Sequence, residues 1–83
     1  MAWWSLSHIE DEMDAAQRRY GPFTSTHEAY GVLAEEVAEL LEAVRSNDAG
    51  SIAAEAVQVA AVAARLAEQC STGDRDFLNR SGC

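Results

Sequence analysis

The sequence contains no lysine. Its six basic residues are all arginine, they face fourteen acidic residues, and the net charge at pH 7 is −8. Proteins bind nucleic acids and anionic membrane surfaces through clusters of basic side chains. An acidic chain without a basic stripe therefore predicts neither nucleic acid nor membrane as a partner.

The chain is also poor in cysteine and in long apolar runs. Its two cysteines, Cys70 and Cys83, form no CxxC or Cys/His zinc pattern. No segment has the roughly 18 consecutive apolar residues of a membrane span, and the first residues lack the basic and apolar regions of a signal peptide. These absences predict a cytoplasmic protein with reduced thiols.

The length of 83 residues predicts one small domain. A chain this short buries a modest share of its surface and is marginally stable alone. Disulfides, a structural metal or self-association are the usual remedies. Because the cysteines offer no disulfide framework, we expect self-association as a dimer or tetramer.

Three segments have the periodicity and boundary signals of α-helices. The first two begin at capping-box patterns, Ser7 with Glu10 and Ser25 with Glu28. The predicted helices run from about Ser7 to Tyr20, from Thr26 to Ser46 and from Ser51 to Gln69. We expect an all-α, three-helix protomer that contains an antiparallel helical hairpin and assembles into a multi-helix bundle.

The third predicted helix is apolar nearly all round, rich in alanine, and crossed by one polar seam. The seam residues are separated by three, seven and four residues, and Val62 divides the gap of seven into four and three: Glu55, Gln58, Arg65 and Gln69. Since small side chains fill a core poorly, a second chain is expected to cover this helix. Residues 1–70 are predicted to form the domain, and residues 71–83 a polar tail that holds a helical turn or docks on a partner.

Four glutamates stand out from the other acidic residues. Glu36 and Glu39 are three positions apart on the second predicted helix, and Glu55 lies on the third, so a hairpin would bring them together. Crowded carboxylates repel one another, and a hard cation such as Mg²⁺ relieves this repulsion. The spacing predicts a metal site at Glu36, Glu39 and Glu55, whereas Glu35 points towards solvent. The alternative is ordinary surface charge.

The same glutamates carry a family resemblance. Over Tyr20 to Glu68 the chain resembles the MazG-like all-α nucleoside triphosphate pyrophosphatases, which are related to dimeric dUTPases. The family motif is Glu-Glu-x-x-Glu, a gap, then Glu-x-x-Asp, and it matches Glu35, Glu36, Glu39 and Glu55. The strings YGPFTSTHEAY at 20–30 and EAVQVAA at 55–61 are similar to those of a small phage and bacterial branch.

The resemblance implies a Mg²⁺-dependent hydrolase, with Mn²⁺ as a possible substitute. It implies that a nucleoside triphosphate is cleaved to the monophosphate and pyrophosphate. Carried over residue by residue, the resemblance implies that Glu36, Glu39 and Glu55 hold the metal and that Glu35 and Glu36 are the catalytic residues, with Glu35 either an outer ligand or the residue that orients the attacking water. With no lysine to contact phosphate, Arg65 is expected to bind the nucleotide together with Gln58. The alternatives are Arg18, Arg19 or Arg45, from this chain or another subunit, for the phosphate, and a buried amide that hydrogen-bonds across the helices for Gln58. The alternative for Arg65 is an ion pair with a nearby glutamate.

The sequence departs from the family pattern at Gln58, where the family has Asp. An amide offers one neutral oxygen and is a poorer Mg²⁺ ligand than a carboxylate. A second hypothesis is therefore a non-catalytic helical module for oligomerisation or interaction with the same fold. A ferritin-like di-iron site is disfavoured because no histidine follows a glutamate at the Glu-x-x-His spacing. Trp3 and Trp4 are expected to cover a core or an interface, with base stacking as the alternative.

Overall fold

A computed structural model describes residues 4–73 and 75–80, apart from the side chain of Arg80, and this part of the chain is all helical. Trp3 and Cys83 lie outside the described residues. Four α-helices contain most of the described chain and no strand occurs in it. The helices are α1 (Leu6–Tyr20), α2 (Thr26–Ser46), α3 (Ala49–Ser71) and α4 (Arg75–Arg80).

The limits of α2 agree with the prediction because both ends carry explicit signals. Ser25 is the N-cap, and its hydroxyl accepts a hydrogen bond from the Glu28 backbone N–H at 3.0 Å. The Glu28 carboxylate accepts from the backbone N–H and the hydroxyl of Thr24, at 3.1 and 3.0 Å. At the other end Asn47 adopts the left-handed conformation, with φ 56°, which is typical of a helix C-terminus.

The predicted start of α1, at about Ser7, lies one residue after the observed start, and the predicted capping box is wrong. The helix begins at Leu6 with Ser5 as its N-cap, so Ser7 and Glu10 do not form its capping box. The Ser5 backbone N–H donates to His8 Nδ1 at 2.9 Å. The imidazole nitrogen thus accepts the bond that a glutamate or glutamine usually accepts three residues into a helix.

The helical hairpin formed by α2 and α3 organises the fold. Only Asn47 and Asp48 separate the two helices, and a connection this short makes neighbouring helices antiparallel. Helix α1 packs on another side of α3. The buried core cluster contains Phe23, Ala29, Val62 and Phe77, and Val32, Leu33 and Leu66 pack against it.

The fourth helix was not predicted as a separate element. Helix α4 is only six residues long, too short for a periodic pattern to stand out. It is held by Phe77, which is 1% exposed and belongs to the core cluster. Helix α4 therefore docks on its own chain. The described residues contain four helices, where the sequence predicted three helices and a tail that holds a helical turn or docks on a partner.

Helix α3 is long and apolar enough to cross a membrane, by length and composition alone. Its most apolar window has a mean hydropathy of 1.3. A core helix of a soluble protein meets the same criterion, and the polar seam of α3 disfavours contact with lipid. The location of the protein remains a prediction from the sequence.

Candidate metal centre and adjoining cleft

The three glutamates that were predicted as metal ligands come together in the structure. Glu36 and Glu39 project from α2, and Glu55 projects from the facing part of α3. One carboxylate oxygen from each residue lies within 4.8 Å of the others. The short α2–α3 connection fixes the register of the hairpin, and that register brings the two helices' acidic positions opposite each other.

Two oxygens of this glutamate cluster, which consists of Glu36, Glu39 and Glu55, lack a protein partner. Glu36 Oε2 and Glu55 Oε2 are both buried and make no hydrogen bond to any described residue. Leaving a buried acceptor unsatisfied costs about 1–3 kcal/mol, and more when it is charged. The chain thus carries an unfavourable feature at the position where the sequence predicts a cation.

The pKa values of the cluster also favour a bound cation at this position. Burial raises the pKa of Glu36, and the negative charges of Glu39 and Glu55 raise that pKa further. Burial also raises the pKa of Glu55, again with a contribution from Glu39. Each raised pKa reflects the free-energy cost of placing a further negative charge in the glutamate cluster. A divalent cation would remove that cost.

The cluster fits a small hard cation in its chemistry. Carboxylate oxygens are preferred ligands of Mg²⁺ and bind it at about 2.1 Å, so two oxygens on one ion lie at most about 4.2 Å apart. Three ligands of one octahedral ion include adjacent oxygens, which lie about 3.0 Å apart, so the glutamate oxygens, which are up to 4.8 Å apart, have to move closer together to share one ion. Mn²⁺ accepts the same oxygen ligands. Three protein ligands would leave coordination positions for water or phosphate oxygens.

The raised pKa values predict how stability depends on pH without metal. The folded state holds protons on Glu36 and Glu55 more tightly than the unfolded state does. The stability that these two protonated carboxyl groups contribute is therefore lost as the pH rises from the ordinary pKa of glutamate, about 4.3, through their raised pKa values in the folded state. Urea unfolding in a chelator should show stability falling across this window, and the fall should be smaller in Glu36→Gln.

Glu42→Gln is the matched control for this titration, because Glu42 lies on α2 and its side chain is 76% exposed. Its stability should follow the wild-type pH dependence. The difference between the two variants measures the pKa shift at about 1.4 kcal/mol per unit. If the free energy of unfolding depends on pH equally in Glu36→Gln and Glu42→Gln, the carboxylates of the cluster do not repel one another as proposed.

A cleft of about 730 Å³ adjoins the glutamate cluster. It lies between α1 and α2, with α3 at its base, and Glu36 belongs to both the cluster and the cleft wall. Its volume is within the range of small-molecule sites, about 300–1,000 Å³. All the residues predicted to act on water or to bind the nucleotide line it: Glu35, Glu36, Gln58 and Arg65.

Arg65 is buried at the base of this cleft. The residue is 8% exposed, its guanidinium donates to the Gly21 carbonyl at 2.9 Å, and its Cζ lies 4.3 Å from the centre of the Phe23 ring. No described residue forms an ion pair with it, so the alternative of a glutamate partner is wrong. The Nε–H is buried and makes no hydrogen bond to a described residue.

The other predicted site residues take different positions on the cleft. Glu35 is exposed, as its helical position predicted, yet it still lines the wall beside Glu36. Gln58 is half-buried on α3 and lines the same space. Glu39 and Glu55 are not lining residues of the cleft, so Glu36 is the link between the cluster and the open volume.

Sequence reasoning missed the clamp that shapes the cleft. The Phe23 backbone N–H donates to Gln69 Oε1 at 3.1 Å, and Gln69 Nε2 donates to the Phe23 carbonyl at 2.8 Å. Gln69 lies on the α3 polar seam, and that position was the available signal. Arg19 and Tyr20 of α1 complete the wall; Arg19 was one of the alternative phosphate contacts that the sequence suggested, and Tyr20 begins the string that resembles the MazG-like branch. Trp4 lines a separate apolar pocket with Ile9.

Together, the fold and the glutamate cluster define a small all-α protein with a candidate carboxylate site for a divalent cation. Comparison of the sequence with protein-family models, with curated proteins and with solved structures finds no match. The likeness to MazG-like proteins therefore remains a prediction from the motif residues.

Proposed function

We propose that this chain is a Mg²⁺-dependent nucleoside triphosphate pyrophosphohydrolase of the MazG-like type, with Mn²⁺ able to replace Mg²⁺. The observation that carries the proposal is the meeting of Glu36, Glu39 and Glu55 within 4.8 Å, at the wall of a cleft of about 730 Å³. A carboxylate cluster beside a cleft of this size suits a metal-bound phosphate ester.

Each residue has a defined task in the proposed reaction. Glu36, Glu39 and Glu55 would hold the cation, which would supply charge neutralisation at the phosphate oxygens and a lowered pKa for bound water. Glu35 lies beside Glu36 on the cleft wall, where its carboxylate accepts the proton of the attacking water. Arg65 and Gln58 bind and orient the nucleotide from the base of the cleft.

The proposed step balances without any further reactant. The water oxygen forms a bond to the α-phosphorus, and the bond between that phosphorus and the bridging oxygen of the β-phosphate breaks. Pyrophosphate leaves with the bonding electron pair, and the water proton passes to Glu35. The products are a nucleoside monophosphate and pyrophosphate.

A non-catalytic interaction module is the second candidate function. Gln58, at the base of the cleft, favours it because an amide cannot supply the charge of the Asp in the motif. As a non-catalytic module, the protein would have the same fold and bind the same cation, and its role would be self-association as a dimer or tetramer. A metal-dependent gain in stability without turnover is the expected outcome for such a module.

Two measurements on the wild-type chain test the proposal. In thermal melts, Mg²⁺ or Mn²⁺ should raise the melting temperature, because a ligand at a hundred times its Kd stabilises the native state by about 2.7 kcal/mol. For a domain of this size, each kcal/mol corresponds to roughly 4–8 °C. A screen of common and modified nucleoside triphosphates should then detect pyrophosphate rather than orthophosphate.

The possible results separate the candidate functions. A metal-dependent melt with pyrophosphate release supports the hydrolase. A metal-dependent melt without release from any triphosphate supports the non-catalytic module. No change in the melt at millimolar metal, together with no release, rules out both the cation site and the enzyme.

A further inference from the structure

One face of α2 remains apolar and uncovered after the protomer has folded. At 100° per residue, five of its residues fall on one side of the helix. We call them the α2 stripe: Tyr30, Ala34, Val37, Leu41 and Val44. The four large members are 68%, 47%, 48% and 50% exposed. No large apolar side chain of α3 is exposed among the described residues, and those exposed elsewhere, Trp4, Leu6, Tyr20 and Leu78, do not form a continuous stripe on one helix.

The spacing of the α2 stripe is that of a helix–helix seam. Its members follow one another at intervals of four, three, four and three residues, which is the heptad repeat of packed helices. Tyr30, Val37 and Val44 are exactly one heptad apart. The stripe extends over about 21 Å of helix. A surface patterned in this way fits the side of another α-helix better than it fits an irregular partner.

The amount of exposed surface agrees with one missing partner. The chain exposes 5721 Å², whereas a compact monomer of 9.0 kDa exposes about 4,900 Å². The excess of about 800 Å² is of the same order as the area that each partner contributes to a standard protein–protein interface, and the α2 stripe supplies four of the eight large apolar side chains that are exposed in the described chain. The radius of gyration, 13.9 Å, also exceeds the value of about 12 Å for a compact chain of this length.

We propose that the α2 stripe is a homodimer interface, in which two copies of this chain pack α2 against α2 about a two-fold axis. An isologous contact uses the same patch on both subunits, and the stripe carries no charged residue that would face its own copy. The axis of such a contact crosses the stripe near its centre, at Val37.

The proposed interface leaves the glutamate cluster accessible. Glu39 projects about 180° from the centre of the stripe around α2, and the cleft lies on the side of α2 that faces α1 and α3. The dimer proposal therefore stands or falls independently of the hydrolase chemistry. It also changes the expected interface, because the sequence had assigned self-association to the alanine-rich α3.

Two charge-introducing variants distinguish the two helices. Val37→Glu places a carboxylate in the stripe, and Ala63→Glu places one at an exposed position of α3. By sedimentation, the wild-type chain and Ala63→Glu should have twice the 9.0 kDa chain mass. Val37→Glu should be a folded monomer, with Kd raised about 100-fold or more, because an unpaired carboxylate is costly to bury.

A cross-linking experiment covers the case in which Val37→Glu unfolds. In a Cys70→Ser, Cys83→Ser background, Val37→Cys should form a disulfide-linked dimer under mild oxidation. Glu35→Cys, on a different side of α2, should not. A wild-type monomer at millimolar concentration overturns the proposal. So does dissociation by Ala63→Glu but not by Val37→Glu, or equal cross-linking of the two cysteine variants.

Discussion

Pyrophosphate release by the Glu55→Gln variant is expected to fall by on the order of 10²- to 10³-fold, the typical loss when one electrostatic stabiliser of a transition state is removed. Glu55 is the only member of the glutamate cluster that α3 supplies. Its replacement by an amide keeps the size of the side chain and removes one negative charge. The remaining pair on α2 would hold a divalent cation far less tightly.

Stability distinguishes loss of chemistry from loss of fold. In a chelator, Glu55→Gln should be at least as stable as the wild type, because the neutral amide relieves the repulsion that raises the pKa values of the cluster. With Mg²⁺ present, the variant should lose the metal-dependent rise in melting temperature. Glu42→Gln, an exposed change on α2, should retain both activity and metal response. Full activity in Glu55→Gln would overturn the site assignment.

Replacing Phe77 with alanine is expected to cost about 3–5 kcal/mol, the usual range for a phenylalanine removed from a core. The ring is 1% exposed and packs with Phe23, Ala29 and Val62. Small domains have a total stability of about 5–15 kcal/mol, so this single change should remove a large part of it. The midpoint of urea unfolding measures the effect.

Leu78→Ala is the control for Phe77→Ala, since Leu78 is the next residue of α4 and is 42% exposed. It should shift the midpoint much less. Because Phe77 and Phe23 share one cluster, Phe77→Ala should also loosen the loop that Arg65 and Gln69 hold at the cleft. Equal costs for the two alanine variants would mean that α4 is not docked through Phe77.

The parts of the fold that sequence reasoning predicted are those with local signals. Ser25, Glu28 and Asn47 mark the ends of α2 by their own side-chain and backbone chemistry, so the limits follow from the sequence. The meeting of Glu36 and Glu39 with Glu55 follows from helical spacing together with a two-residue connection. In each case the determining residues are close in sequence or joined by a short turn.

The parts that could not be predicted depend on distant segments. Arg65 donates to Gly21, 44 residues away, and nothing near Arg65 in sequence identifies that partner. Its buried position arises from how the α1–α2 loop crosses α3. Helix α4 is likewise defined by the tertiary contact of Phe77, because its own six residues show no periodicity. The exposed face of α2 depends on which side of the helix the rest of the chain covers.

The weak attachment of α1 has a consequence for how a ligand reaches the cleft. None of its fifteen residues is fully buried, whereas α2 and α3 are joined by a tight turn and share the core. The free energy of local opening should therefore be lower for α1 than for the hairpin. Detachment of α1 would widen the entrance without separating Glu36 from Glu55, so ligand exchange need not disturb the cation ligands.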